Sequence, residues 1–219
     1  MPSSPVALSG LSRNNLREQA VAALRVAVTT GELTQGKHLV ETELSETLGI
    51  SRGTLREALR QLQQEGLVTA DDRGHLRVRH LNAREIREIF EVRAALESLA
   101  AERLSSLPDR AAVVNVLSTK VLSMESARTH SLEESIETDL DFHRAMITLA
   151  DNSTLTHQWQ SLEGSIRMSI MFSGVDRAVG NMTPGRHQEI VEAIESGHAA
   201  TARNVTIEHM NAAVRNLTE

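Results

Sequence analysis

The stretch Leu39–Val68, LVETELSETLGISRGTLREALRQLQQEGLV, decides how the N-terminal part of the chain folds. Its first half predicts a helix over Glu41–Leu48, which Gly49 ends. Ser51 is a favourable N-cap residue for a second helix over Arg52–Glu65. The apolar residues of this second helix recur at helical spacing and form one inner face: Leu55, Ala58, Leu59 and Leu62. Two helices joined by a short Gly-containing turn are typical of a helix-turn-helix motif.

The segments on either side of this motif extend it. A further helix is predicted over Asn15–Thr30, because apolar residues recur there at helical spacing: Leu16, Ala20, Ala23, Leu24 and Ala27. After the motif, two strand-like stretches, Leu67–Ala70 and His75–Arg79, are joined by Asp71-Asp72-Arg73-Gly74, a composition that favours a hairpin turn. Three helices followed by a hairpin predict a winged helix-turn-helix over residues 1–80, which binds DNA with its third helix in the major groove.

Two arginines of the third helix are candidates for contact with double-stranded operator DNA. Arg52 and Arg56 are one turn apart on the face opposite Leu55 and Leu59, so they can reach base edges or phosphates while the leucines stay in the core. Arg73, at the tip of the hairpin, is placed to enter a minor groove. The alternative is that these arginines only keep an exposed helix in contact with water.

Residues 81–219 read as almost entirely helical. We predict helices that begin at Asn82, at Pro108, at Leu132 and at Asn152, then a linker over Gly174–Gly185 and two further helices. Short connections between six such helices predict an antiparallel bundle, and bundle interiors commonly hold metal and ligand sites. The fold class is therefore mainly α, with the winged helix-turn-helix followed by a six-helix bundle.

Four residues of this bundle have the spacing of a metal-binding set. Asp139 and His143 are four residues apart in DLDFH and share one face of a helix. His187 and His209 lie ten residues before and twelve after Gly197, so on two antiparallel helices they come nearly level. Three imidazoles and a carboxylate suit a divalent ion such as Zn, Ni or Mn. A solvated helix face is the alternative explanation of the Asp/His pair.

Composition limits the classes of function. A hydrophobic content of 40% with 24% charged residues is typical of a folded globular protein, and the absence of cysteine excludes disulfides. No apolar run is long enough to cross a membrane, so we expect a cytoplasmic protein. The net charge of -6 is unevenly distributed: residues 1–80 carry +1 and residues 81–219 carry -7. The N-terminal part is therefore free to present a basic face to DNA.

The quoted motif resembles the winged-helix signature of the GntR family of bacterial transcription regulators, above all in ISRGTLREALRQLQQEGLV. Gly53 stands where many relatives have Thr or Pro, and Thr42 where some have Arg, so operator preference is not carried over. The resemblance implies that DNA contacts come from the start of the third helix, the wing and the preceding helix: Ser51, Arg52, Thr54, Arg56, Arg73, Gly74 and Thr42.

The C-terminal part resembles the FCD effector domain of one GntR subgroup, through EVRAALE, DLDFHRAMITLADN and the two His-bearing helices. All four metal positions of that domain are occupied here, which implies its metal-binding version, and the short chain resembles the VanR-type branch. By the same resemblance, Arg93 pairs with an effector carboxylate and Asn152 adds a polar contact. The alternative for Arg93 is a salt bridge to Glu97, four residues later on the same helix.

Together these features predict a homodimeric, ligand-responsive transcription regulator. We expect a repressor that a small carboxylate effector, bound at or near the metal, releases from its operator. One alternative is a metal sensor, in which metal alone changes operator affinity. A metal-dependent hydrolase is a further alternative, although the sequence offers no convincing general base beside the metal set.

Overall fold

The computed structural model describes residues 14–127, 131–171 and 175–218. Its N-terminal part confirms the predicted winged helix-turn-helix, since each element lies within one residue of its expected bounds. The elements are α1 (Asn14–Thr29), α2 (Glu41–Leu48), α3 (Arg52–Gln64), β1 (Val68–Ala70) and β2 (Leu76–Val78). The strands pair antiparallel, with Val68 opposite Val78 and Ala70 opposite Leu76.

Helix α3 begins and packs as its sequence requires. The Ser51 hydroxyl accepts a hydrogen bond from the Thr54 backbone N–H at 3.1 Å, which satisfies one of the free donors of the first turn. The four residues of the predicted inner face, Leu55, Ala58, Leu59 and Leu62, are fully buried. In α1 the predicted face is only partly right. Ala20 and Leu24 are buried, but Leu16 is 55% exposed, and Val21 and Val28 complete the core instead.

The C-terminal part is a helical bundle, as predicted, but it contains one helix more than the six expected among the described residues. The predicted linker includes a seven-residue helix, α8, whose short length gave no periodic apolar pattern to detect. The helices are α4 (Ala83–Ser105), α5 (Ala111–Ala127), α6 (Leu132–Leu149), α7 (Ser153–Met171), α8 (Val175–Asn181), α9 (Pro184–Glu195) and α10 (Ala199–Thr218). None of the described helices is both long and apolar enough to span a membrane.

Helix α4 is the centre of this bundle. It packs along α10 and also contacts α6, α7 and α9. Ile89 and Phe90 are buried on it, whereas Leu99 is 43% exposed. Two charged residues, Arg93 and Glu97, are buried in its middle. Charge inside a bundle is costly unless it is paired, so the surroundings of these residues position the candidate site.

A capping box fixes the start of α4, just after the wing. The Asn82 side chain accepts from the Glu85 backbone N–H at 3.0 Å, and the Glu85 carboxylate accepts from the Asn82 N–H at 2.9 Å. The predicted domain boundary at residues 80 and 81 falls in the short segment between β2 and this cap.

The Asn82 cap leads to a prediction about stability. Asn82→Ala leaves the Glu85 N–H without its partner and should lower the free energy of unfolding by about 1 kcal/mol. Urea titration followed by the fluorescence of the single tryptophan would measure the change. Asn82→Asp, which retains an accepting oxygen, is the matched control. An unchanged midpoint in Asn82→Ala would contradict a capping role.

Candidate metal centre and DNA interface

Three imidazoles meet inside the bundle, each from a different helix. His143 of α6, His187 of α9 and His209 of α10 each offer a nitrogen, and these nitrogens lie within 4.8 Å of one another. His143 and His187 are fully buried, and His209 is nearly so. Gly197, with a φ of +74°, lies in the turn that reverses the chain between α9 and α10. The positions that the sequence paired about Gly197 are therefore brought together.

Asp139, one turn before His143, belongs to the same cluster. Its Oδ1 lies 3.1 Å from His187 Nε2, and its Oδ2 lies 4.0 Å from His143 Nε2. Burial on its own would raise the pKa of Asp139. The close contacts with His187 and then with His143 outweigh that effect and hold the pKa below its usual value. The carboxyl group is therefore an anion within the cluster.

The second nitrogen of two imidazoles is occupied by an acceptor. His143 Nδ1 lies 2.6 Å from Glu97 Oε2, and His187 Nδ1 lies 3.0 Å from the backbone oxygen of Thr183. A carboxylate and a carbonyl only accept hydrogen bonds, so the neutral form of each ring carries its hydrogen on Nδ1 and has a free lone pair on Nε2. Burial lowers the pKa of His143 and, more strongly, that of His209, which keeps both rings neutral.

These tautomers leave electron-rich atoms facing each other. His143 Nε2 and His187 Nε2 are 3.2 Å apart, and Asp139 Oδ1 is equally close to the second of them. When both rings are neutral, none of the three carries a hydrogen to share, so their lone pairs and charge repel one another. A divalent cation among them would convert this repulsion into coordination. The residues present therefore fit a metal with Asp139, His143, His187 and His209 as its ligands.

Glu97 contacts the histidine cluster on the side of His143 that faces away from the other two imidazoles. Its Oε1 accepts from Arg93 Nε at 2.7 Å and from Trp159 Nε1 at 2.8 Å, while its Oε2 faces His143. Burial would raise the pKa of Glu97, but Arg93 and then His143 lower it to about 2. The sequence indicated Glu97 only as a partner of Arg93. Its contact with the single tryptophan, 62 residues later, carried no local signal.

A small cavity lies beside the cluster, with about 10 Å³ open to a water-sized molecule, and Arg93, Asp139, His143 and His209 all line it. Arg93 fulfils the salt-bridge alternative, because its Nε pairs with Glu97. That bond uses only part of its guanidinium group. Arg93 Nη2 is buried and has no hydrogen-bond partner among the described residues. The arginine is thus held by Glu97 and retains a free donor at the cavity.

Asn152, expected at the effector site, lies elsewhere. Its Oδ1 accepts from the Leu155 N–H at 3.1 Å, so it caps the first turn of α7, and it does not line the cavity. The sequence predicted a ligand contact for Asn152, whereas in the structure its side chain is held by capping the helix. The cavity is instead lined by Asn181 of α8, whose Nδ2 donates to the Ala213 carbonyl.

The predicted DNA-contacting residues lie at the start of α3, in α2 and at the hairpin tip. Arg52 and Arg56 are exposed, and Arg56 Nε donates to Glu41 Oε2 at 2.8 Å. The Ser51 and Thr54 hydroxyls are hydrogen-bonded to each other at 2.9 Å. Thr42 is half-buried in the first turn of α2 and is less accessible than expected.

The hairpin tip is a compact turn. Asp71 Oδ1 accepts from the N–H groups of Arg73 and His75, and Gly74, with a φ of +81°, donates to the Asp71 carbonyl. A residue with a side chain would be strained at that φ. Arg73 and Gly74 are both exposed there, as a contact with DNA requires.

Comparison with known proteins places this architecture in a family. The sequence model of bacterial regulatory proteins of the gntR family matches residues 16–78, and that of the FCD domain matches residues 88–212, more than half of the chain. The chain belongs to the GntR family, in its FCD-containing form. It is therefore a DNA-binding transcriptional regulator, and the hydrolase alternative is set aside because the members it resembles are regulators and not enzymes.

Curated relatives cover most of the chain. It is 26% identical to an uncharacterized HTH-type transcriptional regulator, YdhC, of Bacillus subtilis, over 86% of this chain and 84% of the relative. It is 25% identical to a probable D-xylose utilization operon transcriptional repressor of Paenarthrobacter nicotinovorans, over 92% and 88%. A gluconate operon transcriptional repressor of Bacillus subtilis is 29% identical, over 74% of this chain and 67% of the relative.

Solved structures share the fold. Escherichia coli McbR/YncC superposes with a TM-score of 0.70 at 19% identity, covering 92% of this chain and 96% of that one. A putative GntR regulator from Rhodococcus gives the same TM-score at 22% identity, over 93% and 98%. At these identities the likeness concerns the arrangement of the two parts of the chain, and not the ligands.

The Glu97 contacts lead to a prediction about metal affinity. Glu97→Gln removes the charge that orients His143 and should weaken binding of Zn²⁺ about 10- to 100-fold, the usual cost of losing such a supporting contact. Competition with a chromophoric chelator would measure it. Glu91→Gln, an exposed change on the same helix, is the control. Equal affinities in the two variants would show that Glu97 does not support the cluster.

The Arg56–Glu41 pair leads to a prediction about DNA affinity. Arg56→Ala should weaken specific operator binding by about 1–3 kcal/mol. Glu41→Gln should strengthen binding, because it frees Arg56 and removes a negative charge near the phosphates. Fluorescence anisotropy with labelled operator DNA would measure both, with Arg84→Ala, on α4, as the control. Unchanged affinity in Arg56→Ala would exclude it from the interface.

Proposed function

We propose that this regulator represses transcription until a small organic acid binds beside a divalent metal in the FCD domain. One observation carries the proposal. A small cavity adjoins a cluster of closely spaced imidazole nitrogens and a carboxylate, and it is also lined by Arg93, whose buried Nη2 has no hydrogen-bond partner among the described residues. A cation satisfies the first group and a carboxylate satisfies the second.

Asp139, His143, His187 and His209 would hold the metal, and the mixed nitrogen and oxygen set suits Zn, Ni or Mn. When bound, the metal would supply a positive charge that attracts a carboxylate into an otherwise closed space. The chain supplies the remaining recognition. Arg93 donates from Nη2, and Glu97 holds the arginine in place through Nε.

The dimensions of the cavity restrict the effector. Only about 10 Å³ of it is open to a water-sized molecule, far less than the ~300–1,000 Å³ of typical ligand pockets. An acid would therefore enter only if the surrounding side chains move apart, and it would have few carbon atoms. A repressor among the relatives is named for the gluconate operon, and gluconate is itself a small organic acid. A metal-binding FCD domain would also agree with a place in the VanR-like branch.

Operator binding would involve two copies of the chain. Winged-helix regulators bind a pair of half-sites about one turn of DNA apart, which a two-fold symmetric dimer matches. Ligand binding would change the equilibrium between arrangements that fit and do not fit this spacing, provided that the acid binds one arrangement more tightly. Release from DNA, and therefore repression, agrees with the repressors among the relatives.

The metal-sensor alternative is favoured by one observation, the nearly complete burial of the cluster. His143 and His187 have no exposed surface, so a metal alone could be the buried signal. The two functions differ in what changes operator affinity. A sensor responds to metal at a constant concentration of acid, whereas the proposed regulator requires the acid.

A screen of small mono- and dicarboxylates by thermal shift, with metal-loaded and chelator-treated protein, tests the proposal. We expect stabilisation by an acid only when metal is present, because metal and Arg93 bind the same ligand. Stabilisation by metal with no response to any acid would instead support the sensor. No metal-dependent stabilisation at all would contradict both.

Two variants make the test specific. Arg93→Lys keeps a charge beside Glu97 but lacks the second nitrogen, so it should weaken acid binding about tenfold or more and leave metal binding intact. His187→Ala should lose the metal response as well. Arg87→Ala, exposed on the same helix, is the control. An undiminished acid response in Arg93→Lys would remove Arg93 from the site.

A further inference from the structure

Helix α7 touches the end of the recognition helix α3 through backbone atoms. A Cβ placed on Gly164 would overlap the carbonyl oxygen of Glu65 and lie 2.6 Å from its carbonyl carbon. Glu65 is the C-cap of α3, where its N–H bonds the Gln61 carbonyl. Since the obstacle is backbone at a fixed helix end, no change of rotamer would relieve it. Any residue other than glycine at 164 forces the two helices apart.

Ser165 extends this contact to the wing. Arg79, just after β2, donates from Nη1 to the Ser165 hydroxyl at 2.7 Å, and Ser165 is buried. A Cβ on Gly66 would lie only 2.7 Å from the same hydroxyl. Three positions of the winged helix therefore meet two neighbouring positions of α7, and this small contact involves both the recognition helix and the hairpin.

Charged residues surround the contact and extend it to α6. A cavity of about 360 Å³ next to Gly164 is lined by three arginines and three glutamates: Arg25, Glu65, Glu137, Arg144, Glu163 and Arg167. Arg25 pairs with Glu65 at 2.7 Å, Arg144 pairs with Glu163 and Glu137, and Arg167 pairs with Glu137. Because each arginine pairs with a glutamate of another helix or turn, the pairs together favour one placement of these helices relative to one another. Each pair near the surface is weak by itself.

Helix α6 contributes residues both to the charged group beside Gly164 and to the histidine cluster. Glu137 and Arg144 lie in the charged group, and Asp139 and His143, on the same helix, lie in the histidine cluster. Helix α7 joins the same two regions, because Trp159 bonds Glu97 one and a half turns before Gly164. A shift of α6 or α7 at the cluster therefore moves the surface on which the end of α3 lies.

We propose that Gly164 and Ser165 are positioning residues that fix the recognition helix on the FCD domain. Through these two residues, binding of a metal or ligand at the histidine cluster changes the position of α3. The second statement rests on the proposed function, since it requires a metal or ligand to act at the cluster. The first does not, because it follows from the contact itself. Coupling of this kind requires that both sites influence one shared element, which here is α7.

Hydrogen exchange on the full chain tests both statements, with Gly164→Ala compared with Gly180→Ala. Gly180 is also in a helix, but a Cβ there meets nothing within 4 Å. Without metal, Gly164→Ala should raise exchange about tenfold at the end of α3 (residues 62–67) and in the middle of α7 (residues 160–168), because the contact is opened. Gly180→Ala should resemble the wild type. Equal exchange in both variants overturns the inference.

Zn²⁺ is then added as the probe. In the wild type and in Gly180→Ala it should slow exchange both around His143 and His187 and in residues 62–80. In Gly164→Ala it should slow exchange around the histidines alone. A purely structural role would lower the thermal midpoint without changing this pattern. Two results would overturn the proposed coupling between the histidine cluster and α3. One is that Zn²⁺ slows exchange of residues 62–80 in Gly164→Ala, and the other is that it does not slow their exchange in a wild type that binds Zn²⁺.

The outcomes separate this inference from the proposed function. A wild type without any response to Zn²⁺ contradicts the metal site, while the exchange measured without metal still decides the positioning role of Gly164. Ser165→Ala replaces Gly164→Ala if the latter does not fold. This milder change removes the bond from Arg79 and should raise exchange at residues 76–80. Unchanged exchange there overturns the inference as well.

Discussion

The buried carboxylate of Glu97 is the interaction on which the FCD domain depends. It joins α4 to α7 through Trp159 and to α6 through His143, and it pairs with Arg93 on its own helix. Removing an anion from water costs several kcal/mol, so the site is stable only because the donors of Arg93 and Trp159, together with the adjacent His143 ring, replace the lost hydration. The contact with Glu97 favours the hydrogen of His143 on Nδ1, which leaves its other nitrogen toward Asp139 and His187. The contacts of Glu97 therefore hold the helices of the bundle together and orient His143 within the cluster.

Local sequence rules predicted the winged helix almost completely. Its elements depend on caps, glycine turns and apolar spacing within about 30 residues, and Ser51, Gly49 and the four core residues of α3 behave as those rules require. The grouping of Asp139 with the three histidines was also accessible, because one pair lies on one helix turn and the other lies about equally far from a glycine turn. In both cases the chain itself sets the distance between residues.

What the sequence left out depends on contacts between distant segments. The Glu97–Trp159 bond joins residues 62 positions apart, and the contact of Gly164 with Glu65 joins residues almost a hundred apart. Helix α8 is too short to show a period. Asn152 was misplaced because a helix cap and a ligand contact favour the same residue types. Leu16 shows that a regular apolar spacing does not by itself decide which face of a helix is covered.

The contact between the two parts of the chain uses the backbone of α3 on the DNA-binding side. A carbonyl oxygen at a helix end has the same position whichever side chains the helix carries. The residues that face DNA, such as Arg52 and Arg56, can therefore change over evolution without disturbing the way α3 lies on α7. Operator preference and the interior of the FCD domain are free to diversify separately. A winged helix from another member of the family could be exchanged for this one if it preserved the last turn of α3 and the glycine that follows it.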